Sequence, residues 1–253
     1  MPATFDAMIR VRGMHKSYAT GKVTTEVLRD VNLDIDEGEF VSIIGPSGSG
    51  KSTLLHAIGG LDTNYGGTIE VEGIDLTKMT DVQRSRYRNE TVGFVFQSFY
   101  LLPHLTCLEN IALPSVFKRS GTMDEAEAKK RAAKVLAQVD LAEKADALPT
   151  MLSGGQRQRI TIARALFNRP KVMLCDEPTG NLDSKMGAAI IELFRTLNDD
   201  GITVVIVTHD PQIAASTKRK FLVNERGLTE VEDPAAAMFR GVSDGETVKE
   251  TQP

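Results

Sequence analysis

A glycine-rich loop at residues 45–53 carries the most specific chemical signal in the sequence. It fits the pattern G-x-x-x-x-G-K-[ST], in which backbone N–H groups, a lysine and a hydroxyl surround phosphate groups. Glycine lets the backbone approach phosphate oxygens closely, and a following helix adds its positive N-terminal end. An apolar run at 39–44 precedes the loop, and helical spacing at 51–59 follows it. We therefore predict a nucleotide phosphate site formed by Gly45, Pro46, Ser47, Gly48, Ser49, Gly50, Lys51, Ser52 and Thr53.

A second apolar run, at 171–175, is followed by two neighbouring carboxylates, Asp176 and Glu177. Beside a phosphate loop, an acidic residue at the end of an adjacent strand helps to hold Mg²⁺. Asp176 is predicted to do this through water, together with the hydroxyl of Ser52. Glu177 is then the candidate general base that orients or deprotonates an attacking water. The alternative is a strand that simply ends in a charged turn, and the presence of the glycine-rich loop favours the catalytic interpretation.

A second glycine pair lies in the segment Leu-Ser-Gly-Gly-Gln, just before a predicted helix. Ser153 suits the N-cap position of that helix. Gly154, Gly155 and Gln156 then expose backbone N–H groups at a helix N-terminus, which predicts a second anion site. Taken alone, the segment is equally an ordinary capping loop, so its meaning depends on the first loop.

The elements that must position these loops alternate between strands and helices. Strands are predicted at 9–11, 31–35, 39–44, 68–71, 92–96, 171–175 and 202–207, and helices at 51–59, 124–139, 156–167 and 188–197. Continuous apolar runs of strand length are typical of parallel strands that are covered on both faces. The alternation predicts an α/β fold with a parallel sheet. The interval 98–152 has no strong strand signal and is expected to be a helical insertion.

Composition and charge exclude several classes of protein. The chain has 253 residues, 41% of them hydrophobic, a net charge of −4 and two cysteines. No apolar run approaches the roughly 20 residues of a membrane-spanning helix, and residues 1–12 lack the apolar core of a secretory signal. The charge argues against a nucleic-acid partner, and the isolated cysteines favour a reducing compartment. The acidic C-terminal end is expected to be poorly ordered from about Asp233.

Six motifs in order resemble the nucleotide-binding domain of an ATP-binding cassette (ABC) transporter over residues 8–228. They are the phosphate loop, a glutamine after a strand, Leu-Ser-Gly-Gly-Gln, the acidic strand end, Asn-Leu-Asp at 181–183 and Thr-His-Asp at 208–210. The resemblance implies a P-loop NTPase with a RecA-like parallel-sheet core, an N-terminal antiparallel β-subdomain and an inserted helical subdomain at about 98–160. The ATPase domain would span residues 1–232, and the acidic, disordered tail 233–253.

The resemblance assigns roles to residues outside the phosphate loop. Tyr18 matches the aromatic residue that stacks on adenine. Gln97 matches the glutamine that contacts Mg²⁺ and senses the nucleotide. His209 matches the switch histidine that contacts the γ-phosphate. With Glu177, Gln97 and His209 form the expected catalytic set, and Ser52, Gln97 and Asp176 the expected metal ligands.

The resemblance further implies that two copies of the chain act together. Ser153 and Gly155 match residues that touch the γ-phosphate of ATP bound to the second copy, and Asp183 matches an aspartate in the loop that crosses the interface. In this family two subunits pair head to tail and close on two ATP molecules with Mg²⁺. Hydrolysis removes the γ-phosphate bridge, and the dimer can open. The expected function is therefore ATP hydrolysis that drives a separate membrane permease.

Two stretches, 97–106 and 176–183, resemble the bacterial branch that includes the macrolide exporter and the lipoprotein-releasing complex. This branch implies two permease copies with four spans each, and a location at the cytoplasmic face of the membrane. The cargo would be a lipoprotein, peptide, antibiotic or haem. The alternative within the branch is a cell-division or signalling ATPase that moves no substrate. DNA-repair ATPases and tandem ribosome-associated cassettes fit poorly, because the sequence has neither sustained heptads nor a second cassette.

The helical insertion is where this family docks a helix of its permease. Tyr100, Leu101, Leu102, Pro103 and Phe117 would supply an apolar docking surface there. These side chains could equally pack inside the insertion, and the sequence leaves both possibilities open.

Overall fold

Two β-sheets with surrounding helices make up the computed structural model, which describes residues 7–21, 23–117, 123–224 and 227–243. The strands are β1 (Ile9–Thr20), β2 (Val23–Ile35), β3 (Phe40–Ile44), β4 (Gly66–Val71), β5 (Ile74–Asp75), β6 (Val92–Val95), β7 (Val172–Asp176), β8 (Thr203–Thr208), β9 (Arg219–Asn224) and β10 (Gly227–Glu230). The helices are α1 (Lys51–Ile58), α2 (Asp81–Glu90), α3 (Cys107–Ala112), α4 (Glu125–Gln138), α5 (Gly154–Leu166), α6 (Ser184–Asp199), α7 (Pro211–Ala215) and α8 (Pro234–Ser243). No helix in these ranges is both long enough and apolar enough to cross a membrane.

The larger sheet has six strands in the order β10-β9-β3-β8-β7-β6, and every neighbouring pair from β9 to β6 is parallel. Alternate residues of its central strands enter two different hydrophobic cores. On β8, Val205 and Val207 join one core, while Val204 and Ile206 join the other. Burial on both faces explains why these strands are continuous apolar runs in the sequence.

The two cores divide the remaining elements between them. One holds α1 and the smaller antiparallel sheet, whose order is β2-β1-β4-β5. The other holds α5 and α6 together with the insertion helices α3 and α4, through Ile111 and Val135 among others. In its described part, the interval 98–152 contains helices and turns but no strand. The predicted α/β fold with a parallel core, an antiparallel N-terminal sheet and helices between sheet elements is confirmed.

Several elements escaped the sequence prediction for a common reason: they bury little apolar surface. Strand β1 continues to Thr20 and β2 already begins at Val23, so both are longer than predicted. The residues that pair at this end of the hairpin are mostly exposed. Helix α2 is strongly charged and buries only Tyr87. Such elements are held by backbone pairing and capping, which leave no hydrophobic period to detect.

The expectation of a poorly ordered segment from about Asp233 needs correction over Pro234–Ser243, which form α8. The Asp233 carboxylate accepts hydrogen bonds from the N–H groups of Ala235 and Ala236 and so caps this helix. Ala237 and Met238 then pack against a small core around Ile44. The acidic composition concealed this short apolar face. The rest of the predicted tail, residues 244–253, lies outside the described residues.

Candidate nucleotide site

Four parallel strands deliver the predicted site residues to one edge of the larger sheet. Ile44 at the end of β3 pairs with Thr208 at the end of β8, and Asp176 at the end of β7 pairs with Val207. Strand β6 pairs with β7 in parallel and ends two residues before Gln97. The carboxyl edge of a parallel sheet is the usual place for ligand binding. The fold therefore brings the phosphate loop, the acidic pair, the glutamine and the histidine together.

The phosphate loop follows β3 and ends where α1 begins. A Cβ at Gly45 would lie 2.4 Å from the carbonyl oxygen of Val223. A Cβ at Gly50, where φ is +94°, would lie within 3 Å of β2 atoms. These two positions therefore require glycine. The hydroxyl of Ser49 is buried without a hydrogen-bond partner among the described residues, so the loop holds a polar atom that is free to meet a ligand.

Lys51 is the cation of this loop and is only 6% exposed. Its Nζ donates hydrogen bonds of 2.8 Å to the carbonyl oxygens of Gly45 and Pro46. Burial lowers its pKa from the ordinary value, and the charges of Glu177 and Asp176 partly oppose that change. The ammonium group is thus held inside the loop, close to two carboxylates, where a polyphosphate would supply further negative charge.

Asp176 and Ser52 are hydrogen-bonded to each other, so their oxygen atoms lie close enough to share one metal ion. The Ser52 hydroxyl donates a 2.8 Å hydrogen bond to Oδ1 of Asp176, and His56 Nε2 lies 3.6 Å from Oδ2. The described residues contain no cluster of three or more His, Cys, Asp or Glu side chains that could hold a metal alone. One hydroxyl and one carboxylate suit Mg²⁺, which takes oxygen ligands and relies on phosphates and water for the rest. The donor set therefore fits Mg²⁺ bound together with a nucleotide.

Sequence reasoning missed His56, although its spacing offered a signal. It lies four residues after Ser52 on α1, so the two side chains share one face of that helix. Its Nε2 is buried without a hydrogen-bond partner in the described structure. The four-residue spacing from Ser52 could therefore have identified His56 as a neighbour of the predicted metal ligands.

Glu177 and His209 form a hydrogen-bonded pair beside the phosphate loop. His209 Nδ1 and Glu177 Oε1 are 2.8 Å apart, with the histidine side chain 61% exposed and the glutamate 15% exposed. The backbone of Glu177 has φ +45°, a left-handed conformation that is unusual for a side-chain-bearing residue. Its N–H donates to the carbonyl oxygen of Val207, so neighbouring strand β8 helps to hold it. Such strain is typical of functional positions.

Gln97 is exposed and lies against the loop that follows Glu177. A Cβ at Gly180 would be 2.8 Å from Nε2 of Gln97. The Nδ2 group of Asn181 donates a 2.8 Å hydrogen bond to the backbone carbonyl oxygen of Gln97. The glutamine is therefore positioned by the segment between the acidic pair and Asp183. The sequence did not indicate this link, because the two segments are far apart along the chain.

The second predicted anion site, Ser153–Gln156, lies at the start of α5. Ser153 Oγ accepts from the N–H of Gln156, and the Gln156 side chain accepts from the N–H of Ser153, which is a complete capping box. Gly154 and Gly155 lie against Leu182 and Met186, and Asp183 caps α6 by accepting from the N–H of Met186. The fold thus places Ser153 and Asp183 on adjoining helix starts.

Tyr18 lies on β1 and is 46% exposed. Its hydroxyl donates a 3.4 Å hydrogen bond to Asp62, in the loop that leaves α1. Lys16 Nζ is 4.9 Å from the centre of its ring. The aromatic residue predicted to meet a nucleobase is therefore linked to the same helix that begins at the phosphate loop.

Comparison with known proteins agrees with this arrangement. The sequence matches the family described as ABC transporter over residues 28–180. It is 45% identical to the lipoprotein-releasing system ATP-binding protein LolD of Shewanella oneidensis, over 91% of this chain and 99% of LolD. It is also 45% identical to the macrolide export ATP-binding/permease protein MacB of Rhodopirellula baltica, over 84% of this chain but 31% of that protein.

A solved structure extends the agreement to the fold. The ATP-binding cassette MJ0796, in a dimeric post-hydrolysis state bound to ADP and Pi, superposes with a TM-score of 0.81 at 44% identity. The match covers 89% of this chain and 98% of that one. The motifs, the sheet order and these similarities agree, and the chain belongs to the ABC transporter family as one of its ATP-binding cassettes.

Proposed function

We propose that this cassette hydrolyses ATP with Mg²⁺ at the edge formed by the phosphate loop, Asp176, Glu177 and His209, and that the hydrolysis drives an exporter-type permease. The observation that carries the proposal is the hydrogen-bonded Glu177–His209 pair next to a phosphate loop whose Ser52 is bonded to Asp176. A base, a metal-binding oxygen pair and a phosphate cradle are the parts that nucleotide hydrolysis needs.

Each side chain has a distinct task in this mechanism. Lys51 and the loop N–H groups would bind the phosphates, and Ser52 and Asp176 would hold the metal ion, with Gln97 as a further ligand. Mg²⁺, when bound, neutralises charge that develops on the phosphates. Glu177 accepts a proton from the attacking water, and His209 holds the glutamate carboxylate in place through the 2.8 Å contact. Tyr18 stacks on the adenine ring.

A second copy of the chain would complete the site. The MJ0796 structure that resembles this chain is dimeric. In this chain Ser153 is exposed at a helix start, with the N–H groups of Gly154 and Gly155 beside it. We infer that Ser153–Gln156 and Asp183 of one copy face the ATP of the other. ATP then favours the closed dimer, because contacts on both sides of the nucleotide exist only when the dimer is shut.

The membrane partner would dock on exposed apolar side chains at the helical insertion. Tyr100 and Phe117 are 67% and 66% exposed, and Val116 is 76% exposed. Val116 and Phe117 line a groove with α2. Leu101, by contrast, is half-buried against the core that contains α3 and α4. The predicted docking set is therefore divided: its aromatic members are available to a partner, and Leu101 supports the insertion.

The names of LolD and MacB support a membrane permease as the partner. We further propose, from the sequence resemblance alone, two permease copies with four spans each, contacted from the cytoplasmic face of the membrane. The resemblance supports a cargo of the kind handled outside the bilayer, such as a lipoprotein, peptide, antibiotic or haem. The non-translocating alternative, a cell-division or signalling ATPase, is not favoured by these relatives. Cargo recognition would belong to the permease. The cassette would contact the permease through the docking surface and would not touch the cargo.

Purification from native membranes in detergent tests the partner. We expect the wild-type chain to retain a membrane protein with four spans and a large extracytoplasmic domain, identified by mass spectrometry. Phe117→Ser should lose that protein. Ile74→Ser changes an equally apolar side chain, 55% exposed on β5, and should retain it. Recovery of the chain without any membrane protein would contradict the transporter proposal.

A further inference from the structure

Lys16 is a buried lysine on β1, outside the phosphate loop. Its side chain is 4% exposed, and it lies on β1 two residues before Tyr18. The pairing of β1 with β2 shifts register on both sides of Lys16, so the strand is locally irregular there. A buried ammonium group is costly unless it is paired and hydrogen-bonded, so its partners show what the burial achieves.

The partners of Lys16 belong to the end of α1. Its Nζ lies 2.7 Å from Oδ2 of Asp62 and also donates to the carbonyl oxygen of Asn64. The N–H groups of Leu61 and Asp62 both donate to the carbonyl oxygen of His56, which ties this loop to the last turn of the helix. Burial is the largest single effect on the pKa of Asp62 and raises it, but the hydrogen bonds from Lys16, the Asn64 N–H and Tyr18, together with the charge of Lys16, outweigh burial and lower the pKa. The Lys16–Asp62 ion pair therefore attaches β1 to the end of α1.

The same pair holds Tyr18 from two directions. Lys16 Nζ lies 4.9 Å from the centre of the ring, a distance at which a cation is attracted to an aromatic face. The Tyr18 hydroxyl donates to Oδ2 of Asp62 at 3.4 Å. Tyr18 as a whole is nevertheless 46% exposed. One side of the tyrosine is thus occupied by the ion pair, and the rest remains available to stack on another ring.

We propose that Lys16 and Asp62 are positioning residues that orient Tyr18 toward the adenine base and align it with the phosphate loop. This inference rests on the proposed function, in which Tyr18 stacks on adenine. Helix α1 begins at the phosphate loop and ends at the Asp62 loop, so one rigid element sets the position of both ends of the nucleotide. A fixed ring also loses less conformational freedom when the base binds.

Comparison of ATP with inorganic tripolyphosphate tests the proposal, because the second ligand lacks the base. Titration calorimetry on the full chain should show that Lys16→Met weakens ATP binding about fivefold, in line with a lost cation–π contact. Binding of tripolyphosphate should stay unchanged. In steady-state hydrolysis the KM for ATP should rise while kcat at saturating ATP stays the same. Lys16→Arg retains the charge and should restore most of the affinity for ATP.

Two further variants guard against a change in folding. Asp62→Asn keeps the side-chain volume and should reproduce the loss specific to ATP, which matters if Lys16→Met fails to fold. Arg12→Met removes another ion pair of β1, to Asp34 at 2.8 Å, and should leave the binding of both ligands unchanged. Thermal unfolding of each variant checks that the comparison is made on folded protein.

Tyr18→Ala separates this inference from the function on which it rests. If Tyr18→Ala weakens ATP and tripolyphosphate alike, the stacking role of Tyr18 is wrong, and the inference falls with it. If Tyr18→Ala selectively weakens ATP while Lys16→Met and Asp62→Asn do not, only the positioning role is wrong. An equal loss of both ligands in Lys16→Met would mean that the ion pair supports the fold in general.

Discussion

The two predicted phosphate-binding turns, residues 45–53 and Ser153–Gln156, are completed in different ways. The first is surrounded by its own chain: Lys51 is 6% exposed, and Asp176, Glu177 and His209 reach it from two other strands. The second is closed on itself by a capping box, and Ser153 remains exposed. Within the described residues, the side-chain hydrogen bonds of Ser153 and Gln156 stay inside that turn.

Under the proposed function, this difference explains why one chain would supply the metal ligands, the base and the phosphate loop and would still need a partner. The first turn has charged side chains of its own chain around the predicted phosphate position. One chain therefore supplies every charged group on that side of the nucleotide. The second turn has exposed N–H groups at a helix start and no charged side chain of its own in the four residues, so it would bind phosphate only when another surface brings it. Four variants separate these two kinds of surface.

The largest effect is expected at the completed turn, from Glu177→Gln. Removing the proposed base should lower the ATPase rate by about a hundredfold to ten-thousandfold, the usual range for general base catalysis. The nucleotide should still bind, so a dimer holding ATP should accumulate and be visible by size-exclusion chromatography. Glu192→Gln, on the exposed face of α6, is the matched control and should keep the wild-type rate. Wild-type hydrolysis by Glu177→Gln would remove this residue from the role of base.

Lys51→Ala should reduce affinity for ATP rather than trap it. A buried cation that binds phosphate contributes several kcal/mol when it is truncated, so we expect a loss of about thirtyfold or more. Calorimetry on the nucleotide-free chain measures it directly. Lys134→Ala removes an exposed lysine of α4 and should leave the affinity for ATP intact. Unchanged affinity in Lys51→Ala would place the phosphates elsewhere.

Ser153→Ala tests whether the second turn does more than cap a helix. Thr80→Ala removes the same kind of capping box, with Gln83, from α2. Both variants should lose about 1 kcal/mol of unfolding free energy, the usual value of an N-cap. Only Ser153→Ala should also lower the ATPase rate, by about tenfold, because a hydrogen bond to a charged phosphate is lost. Equal ATPase rates in the two variants would reduce Ser153–Gln156 to a capping loop.

The smallest effect on the stability of the isolated chain is expected from Phe117→Ala. Phe117 belongs to the exposed apolar side chains at the helical insertion. Phe117 is 66% exposed, so its removal should change the unfolding free energy by less than about 0.5 kcal/mol. Phe167→Ala, at a side chain with no exposure, should cost about 3–5 kcal/mol. Urea unfolding measures both. A large loss in Phe117→Ala would mean that this ring supports the insertion instead of a partner.

Much of this molecule could be predicted before its structure, and several of the missed elements share one cause. The buried strands β3, β7 and β8 and the helices that begin at Lys51 and Gly154 follow from apolar runs, glycine loops and capping residues. Helix α2, the hairpin end of β1 and β2, and α8 were missed because each buries few side chains. Their formation depends on backbone pairing or on a surface offered by another element, as Met238 finds near Ile44.

The chemistry of single residues was also set locally. A lysine and a serine after Gly50, two carboxylates after an apolar strand and a serine before two glycines predict phosphate, metal and anion binding from residue type and spacing alone. These signals depend on neighbours within one turn or one strand end, where the chain has few conformations to choose from.

Only the tertiary structure decided which of these residues meet. The 2.8 Å contact between Glu177 and His209 requires β7 and β8 to lie side by side in register. The link from Lys16 through Asp62 to Tyr18 requires a strand irregularity and a helix end to come together. No local pattern encodes such distances, because they depend on how two cores bury both faces of one sheet. The sequence by itself determined the chemical groups and their immediate backbone, and packing across the sheet determined the site that they form.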